Sequence, residues 1–224
     1  MQRTCEESLK RVPTWVIGGA FLAPVLMNLL ANKSIDFGVS WMALDCGTLV
    51  SWLAFLCMDL VTIQAGAKAS IYLSAWAMIA SMVTAALLAV AAVIPGTWGE
   101  AYELGSVAGI ALDNTIAGNW KILLGSCIAY IISAVVNSLL NAQLGRRFNG
   151  DRFKDYAVRT YISTAIGQFV DNLVFALIVS VRLFGWNMRQ CIMCSVTGAV
   201  IELVCEIIAS PAGFKALSSW RRQE

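Results

Sequence analysis

The chain has no histidine, and only 13% of its 224 residues carry charge. Without histidine the usual proton shuttle is missing and most metal sites lose their commonest ligand, so any proton traffic must use carboxylates. With so few charges the chain cannot clothe a water-facing surface. Apolar residues make up 58% of it and the mean hydropathy is +0.71, both beyond what a soluble domain needs. No stretch reads as a separate soluble domain. Basic clusters resembling a nucleic-acid footprint are also lacking, and the net charge is only +2. No nucleophile–base pair and no metal motif is present, which speaks against an enzyme and against a bound cofactor or metal. The seven cysteines add no chemistry of their own: five (Cys46, Cys57, Cys127, Cys194, Cys205) fall in apolar stretches, where cysteine packs as a small apolar residue. Cys191 and Cys194 form a C-x-x-C pattern, but it has no second pair to complete a zinc site.

What the chain does have is long apolar runs. A membrane span takes about 20 mostly apolar residues, and six windows qualify: 14–32, 44–65, 70–94, 119–143, 157–183 and 188–210. The first is too long for a signal-peptide core and is followed by Asn28 to Lys33 in place of a small-residue cleavage site, so it reads as a true helix. The expectation is an all-α integral membrane protein, a single six-helix domain over residues 1–224 in contact with the lipid bilayer. Six spans place both termini on one side. The amino-terminal tail (Arg3, Lys10, Arg11), second loop (Lys68), fourth loop (Arg146, Arg147, Arg152, Lys154, Arg159) and carboxy-terminal tail (Lys215, Arg221, Arg222) hold twelve basic residues; Lys33, Lys121, Arg182 and Arg189 make four on the other side. By the positive-inside rule both termini are cytoplasmic. The 95–118 segment, with Glu100, Glu103, Asp113 and five glycines, then reads as an external loop.

Small residues at four-residue spacing (Ala77, Ser81, Ala85, Ala89) give span three a seam for close helix packing. Pro24, beside Gly18 and Gly19, is expected to kink span one. Spans four and five share a weak repeat. Ile132-Ser-Ala-Val-Val-Asn137 and Ile166-Gly-Gln-Phe-Val-Asp171 each set a small residue four positions before a polar one, thirty-four residues apart. In transporter folds the substrate site often lies where such repeats meet.

Four acids interrupt the spans: Asp59, Asp171, Glu202 and Glu206. An acid in hydrocarbon costs on the order of 2.5–3.5 kcal/mol on insertion scales, so each is expected to face a protein interior, a watery path or a ligand. By helical rise, Asp171 is central in span five, with Gln168 and Phe175 on its face, while Asp59, Asn137 and Glu202 lie toward the cytoplasm. No lysine or arginine lies deep in a span to neutralise them. Asn137 and Gln168 can alternatively bridge helices. Glu202 and Glu206, at i and i+4, share a helix face and are candidates for proton coupling; the alternative for Glu206 is a solvated position at the cytoplasmic interface.

Asn28-Leu-Leu-Ala-Asn32, Asp59-Leu60, Lys121-Ile-Leu-Leu and Gln168-Phe-Val-Asp171-Asn-Leu-Val-Phe175 resemble the VUT family of vitamin uptake transporters, over about Asn28 to Pro211. The characterised members carry queuosine precursors, so the resemblance implies a multi-pass importer of a 7-deazaguanine base, such as queuine, in the bacterial cytoplasmic membrane. The chain departs from the family pattern at Ser133, Ala134 and Asn137 in span four, at Trp120-Lys121, and at Glu202, where relatives carry lysine nine residues before a proline. The expected substrate site comprises Asp59, Asn137, Gln168, Asp171, Phe175 and Glu202, with carboxylates accepting from a guanine-type N–H edge and Phe175, Phe169 or Trp52 stacking on the ring. Two other readings stand beside it. One is the substrate-binding subunit of an energy-coupling-factor transporter, which needs a separate ATPase; Ala20 and Pro24 stand where its docking alanines would be. The other is a non-transporting membrane scaffold. A homo-oligomer is compatible with any of the three.

Overall fold

A computed structural model describes residues 9–10, 12–39, 43–99, 104–149 and 151–222, so Arg3, Arg11, Glu100 and Glu103 of the charge pattern lie outside the described residues. The chain forms α1 (Thr14–Leu30), β1 (Ser34–Asp36), β2 (Ala43–Asp45), α2 (Thr48–Ala65), α3 (Ala67–Val93), α4 (Val107–Leu144) and α5 (Phe153–Phe175). A π-helical turn (Ala176–Ser180), a short α6 (Val181–Phe184) and α7 (Met188–Arg221) complete it. Five helical segments, α2, α3, α4, α5 with its π turn, and α7, are long and apolar enough to cross a membrane. α1 has 17 residues, the lower end of spanning length.

The packing is that of a protein solvated by lipid. Leu87, Val93 and Ile208 are 67%, 73% and 75% exposed on the outer faces, whereas Asp59, Asn137, Gln168 and Glu206 are wholly buried. Hydrocarbon satisfies no polar group, so the polar side chains turn inward and bond to one another or to helix carbonyls. Serine and threonine do much of this locally: Thr84, Thr160, Ser163 and Ser195 each donate to the carbonyl four residues back. α4 packs chiefly on α3 and α5, and α7 on α5 and α2. The small stripe Ala77, Ser81, Ala85 on α3 is buried as expected, with Ala89 half-buried.

Four helix ends differ from the sequence reading. α2 starts at Thr48, not 44, because Ser34–Asp36 and Ala43–Asp45 pair as a two-stranded antiparallel hairpin, Ser34 with Asp45 and Ile35 with Leu44. α4 starts at Val107, inside the supposed loop. Ser106 caps it by accepting from the Gly109 N–H at 3.1 Å, and Trp98 Nε1 donates to Asp113 Oδ1 at 2.7 Å. At about 1.5 Å per residue its 38 residues span far more than the hydrocarbon thickness. Trp120 and Lys121, with the ammonium 5.8 Å from the indole ring centre, form the pair expected at an interface. α7 runs on past Pro211, since the Ser210 hydroxyl donates at 2.9 Å to the Ile207 carbonyl that the proline leaves without its N–H. α1 likewise continues through a buried Pro24.

α5 starts at Phe153 and takes Arg159 into the bundle. This residue, assigned above to a loop, is 5% exposed; its Nη2 donates to Asn141 Oδ1 at 2.8 Å and its guanidinium lies against Gly145. Its assignment to a loop is thereby corrected; it lies at the end of the bundle, against the Phe148 and Asn149 carbonyls, and not deep in a span. The start of the helix, which the apolar window placed at 157, hid it.

α4 and α5 cross at the two repeat segments. Ser133 Oγ donates to Asp171 Oδ1 at 2.8 Å, and a Cβ on Gly167 would lie 2.9 Å from Asn137 Cβ and 3.0 Å from Phe55 Cε1. In each pair the small residue of one helix meets the polar residue of the other, which is what an antiparallel repeat about a local two-fold axis produces. Gly167→Ala is therefore expected to force α4 from α5 and to cost about 1–3 kcal/mol. A thermal melt of the purified protein in detergent checks this; an unchanged Tm would show that the crossing has slack.

Candidate functional site

The polar interior has two layers. The first lies toward the hairpin. Here α1 supplies Asn28, β2 Asp45, α2 Thr48 and Ser51, α4 Ser126, α5 Asp171, Asn172 and Phe175, and α7 Glu202, all lining a cleft. Its narrow end holds about 40 Å³ and continues into a chamber of about 260 Å³ between the hairpin, Ile122, Phe175, Trp186 and Ser195. The two share Ala31, Asp45, Thr48, Asn172 and Phe175. The π turn begins just after Phe175, and Ala176 and Ser180 within it line the chamber; such turns are frequent at functional sites because they re-aim side chains. Gly125 on α4 lets that turn approach, for a Cβ there would fall 2.1 Å from Val179 Cγ2.

Each acid of this layer is held differently. Glu202 is 3% exposed and both of its oxygens are taken, Oε1 by the Ser51 hydroxyl and Oε2 by Asn172 Nδ2 at 3.0 Å. Gly198 gives Asn172 room to reach it. Asp171 has Ser133 on Oδ1 and lines the cleft. Asp45 accepts from the Gly47 N–H at 2.7 Å, and burial lifts its carboxyl above the usual value against the pull of the Gly47 and Thr48 N–H groups. Asn28, 3% exposed, lines the narrow end with an Nδ2 that meets no acceptor among the described residues.

The second layer is closed. Asp59 on α2 accepts from Asn137 Nδ2 at 2.7 Å and Thr164 Oγ1 at 3.2 Å, with Ser163 3.3 Å away. Asn141 joins Ser163 to Arg159, so an acid and a buried guanidinium are connected through neutral groups. Gln168 is wholly buried with neither amide atom bonded, and Tyr156 Oη is likewise unpartnered among the described residues. Glu206 is wholly buried, which overturns the solvated alternative. Its polar neighbours are Thr164 and Asp59, and neither oxygen meets a donor in hydrogen-bond geometry.

The sequence-derived site residues are thus divided. Asp171, Phe175 and Glu202 come together on the cleft; Asp59, Asn137, Gln168 and Glu206 form the layer beneath it. Glu202 and Glu206 share a face of α7 but belong to different layers. Of the other aromatics, Trp52 donates to the Leu49 carbonyl at 2.9 Å and packs beside α1, and neither it nor Phe169 lines the cleft. Sequence reasoning passed over Asp45, Ser51, Asn28 and Asn172. The Asp45-Cys-Gly-Thr48 run, an acid just before a helix start, was the available signal for the first. Asn28 and Asn172 stood within the resemblance motifs without an assigned part.

No curated protein and no solved structure matches the chain. Residues 45–215, which take in the cleft acids and the closed polar layer, match the model of the family Vut_1, described as "Putative vitamin uptake transporter". With three quarters of its length matched in this way, this multi-pass membrane chain belongs to the Vut_1 vitamin uptake transporter family.

Proposed function

We propose that the protein imports a queuosine precursor, a 7-deazaguanine base, across the cytoplasmic membrane through six spans with both termini inside. The observation that carries this reading is the cleft itself, a niche lined by Asn28, Asp45, Asp171 and Glu202 that lies on the hairpin side of a layer of wholly buried polar residues. The basic-residue asymmetry makes the hairpin end external, so the cleft faces outward over a closed layer, as an importer awaiting substrate would. Asp171 supplies an acceptor for N–H groups of the base, Asn172 and Asn28 supply amides for a carbonyl, and Phe175 supplies a ring face. Ala20 and Pro24 favour a self-contained importer over an energy-coupling-factor subunit, because both are buried within the bundle and unavailable for docking an ATPase module. A scaffold has no use for a cleft lined with acids.

Asp59, Asn137, Gln168 and Glu206 then line the inner half of the path, meeting substrate or water once the bundle opens inward. Gln168 supports this, since leaving both amide atoms unpaired in a dry interior is costly unless another state of the protein satisfies them. In this reading Glu206 carries the coupling proton, and Glu202 serves the substrate through Ser51 and Asn172.

Asp171→Asn is expected to leave expression and fold intact and to abolish uptake, because the amide presents a donor where the base presents N–H. Loss of a charge-assisted hydrogen bond in a desolvated cleft costs roughly 1.5–3 kcal/mol, tenfold or more in affinity. Uptake of labelled queuine by cells expressing each form measures it, and normal uptake by the variant would remove Asp171 from the site. For Glu206→Gln the expectation is that substrate binding and exchange persist while accumulation driven by a proton gradient is lost. Proteoliposomes with and without an imposed gradient separate these, and wild-type accumulation by the variant would exclude the proton role.

A further inference from the structure

The cleft is charged in one sign. Asp45, Asp171 and Glu202 line it and no lysine or arginine does. Among the described residues the ion pair seen is Arg221 with Asp151, far from the cleft at the other end of the bundle. The three acids do not converge on a point, for no group of three or more acidic or cysteine side chains among the described residues is arranged to hold a metal ion. Glu202 has spent both oxygens on Ser51 and Asn172. Asp171 and Asp45 have each one oxygen in a short internal hydrogen bond and keep capacity for more, and both line the niche.

The independent observation is Asn28. Its side chain is almost wholly buried, lines the narrow end, and carries an amide nitrogen without an acceptor among the described residues. A buried donor left unpaired is costly, and a ligand acceptor in the niche would relieve it. The niche of about 40 Å³ admits a small terminal group and no ring; the adjoining chamber of about 260 Å³ admits the ring.

We propose that the cleft selects a ligand bearing a protonated amine, with Asp45 and Asp171 as its counter-charges and Asn28 donating to an acceptor on the same molecule. Asp45 is then a specificity-determining residue placed on the hairpin at the mouth of the cleft. The proposal rests on the reading of the cleft as the substrate site and adds the charge of the substrate to it. A fixed pair of carboxylates in a partly desolvated cleft binds an ammonium strongly and gains nothing from a neutral group of the same size.

The test compares two compounds with one ring, 7-aminomethyl-7-deazaguanine, which is cationic at neutral pH, and 7-cyano-7-deazaguanine, which is neutral. Titration calorimetry on the purified full-length protein is expected to favour the cation by about tenfold or more. Asp45→Asn keeps the acceptor for the Gly47 N–H, and therefore the local fold, but is expected to reduce that preference to about threefold or less. Equal binding of both compounds by wild type, or an undiminished preference in Asp45→Asn, would overturn the proposal. If neither deazaguanine binds, the queuosine-precursor reading falls, and charge selectivity is read with benzylamine and benzyl alcohol by thermal shift. The amine alone should then raise the Tm of wild type and fail to raise that of Asp45→Asn. Equal shifts, or none in wild type, would overturn the proposal on its own.

Discussion

Asn137 donates to Asp59 at 2.7 Å, and the rest of the interior is arranged around that contact. It joins α2 to α4 at a depth where no water or lipid can take either group. It also requires α5 to come close, since Thr164 supplies the second donor to Asp59 and Gly167 has no side chain to keep Asn137 away. One buried carboxylate thus draws three helices to a point, and the outward-facing Leu, Val and Ile residues follow from that inward turn of the polar ones. The same rule, applied one layer toward the hairpin, gives Glu202 its Ser51 and Asn172 and joins α7 to α2 and α5.

The two layers are not equivalent, and transport in this account uses their difference. Around Asp59 the layer is shut; around Asp171 and Asp45 a cleft remains. The unpaired atoms of Gln168, Tyr156 and Glu206 lie on the closed side, where a purely structural interior would have found them partners. At the end away from the hairpin the helices are tied by arginine. Arg221 reaches Gln64, Asp151 and the Asn149 carbonyl, and Arg159 reaches Asn141 and the carbonyls of Phe148 and Asn149. In the proposed cycle an inward-open state has to loosen these straps, the exposed Arg221–Asp151 pair at small cost and the buried bonds of Arg159 at more.

The helices were legible in the sequence because hydrocarbon demands long apolar runs, and the repeat was legible because a small residue must face each polar one where α4 and α5 cross. Depth was less so. The i, i+4 spacing of Glu202 and Glu206 gives a shared face but cannot say that one meets a cleft and the other a closed layer. Arg159 escaped because an apolar window undercounts a helix that starts with Phe153-Lys-Asp. Pro211 looked like an end because nothing in a window average shows that Ser210 can serve the Ile207 carbonyl. Asp45 was passed over because its importance comes from a hairpin too short to announce itself by alternation, which places it on the cleft that Asp171 also lines.

The central claim is an externally open cleft above a closed polar layer, and cysteine accessibility tests it most directly. In a variant cleared of native cysteines, a single cysteine replaces Thr48 in the cleft or Ser163 in the closed layer, and intact cells receive a membrane-impermeant methanethiosulfonate reagent. The account predicts rapid modification of Thr48→Cys and none of Ser163→Cys. Modification of Ser163→Cys from outside, or of Thr48→Cys only in inside-out vesicles, would contradict it.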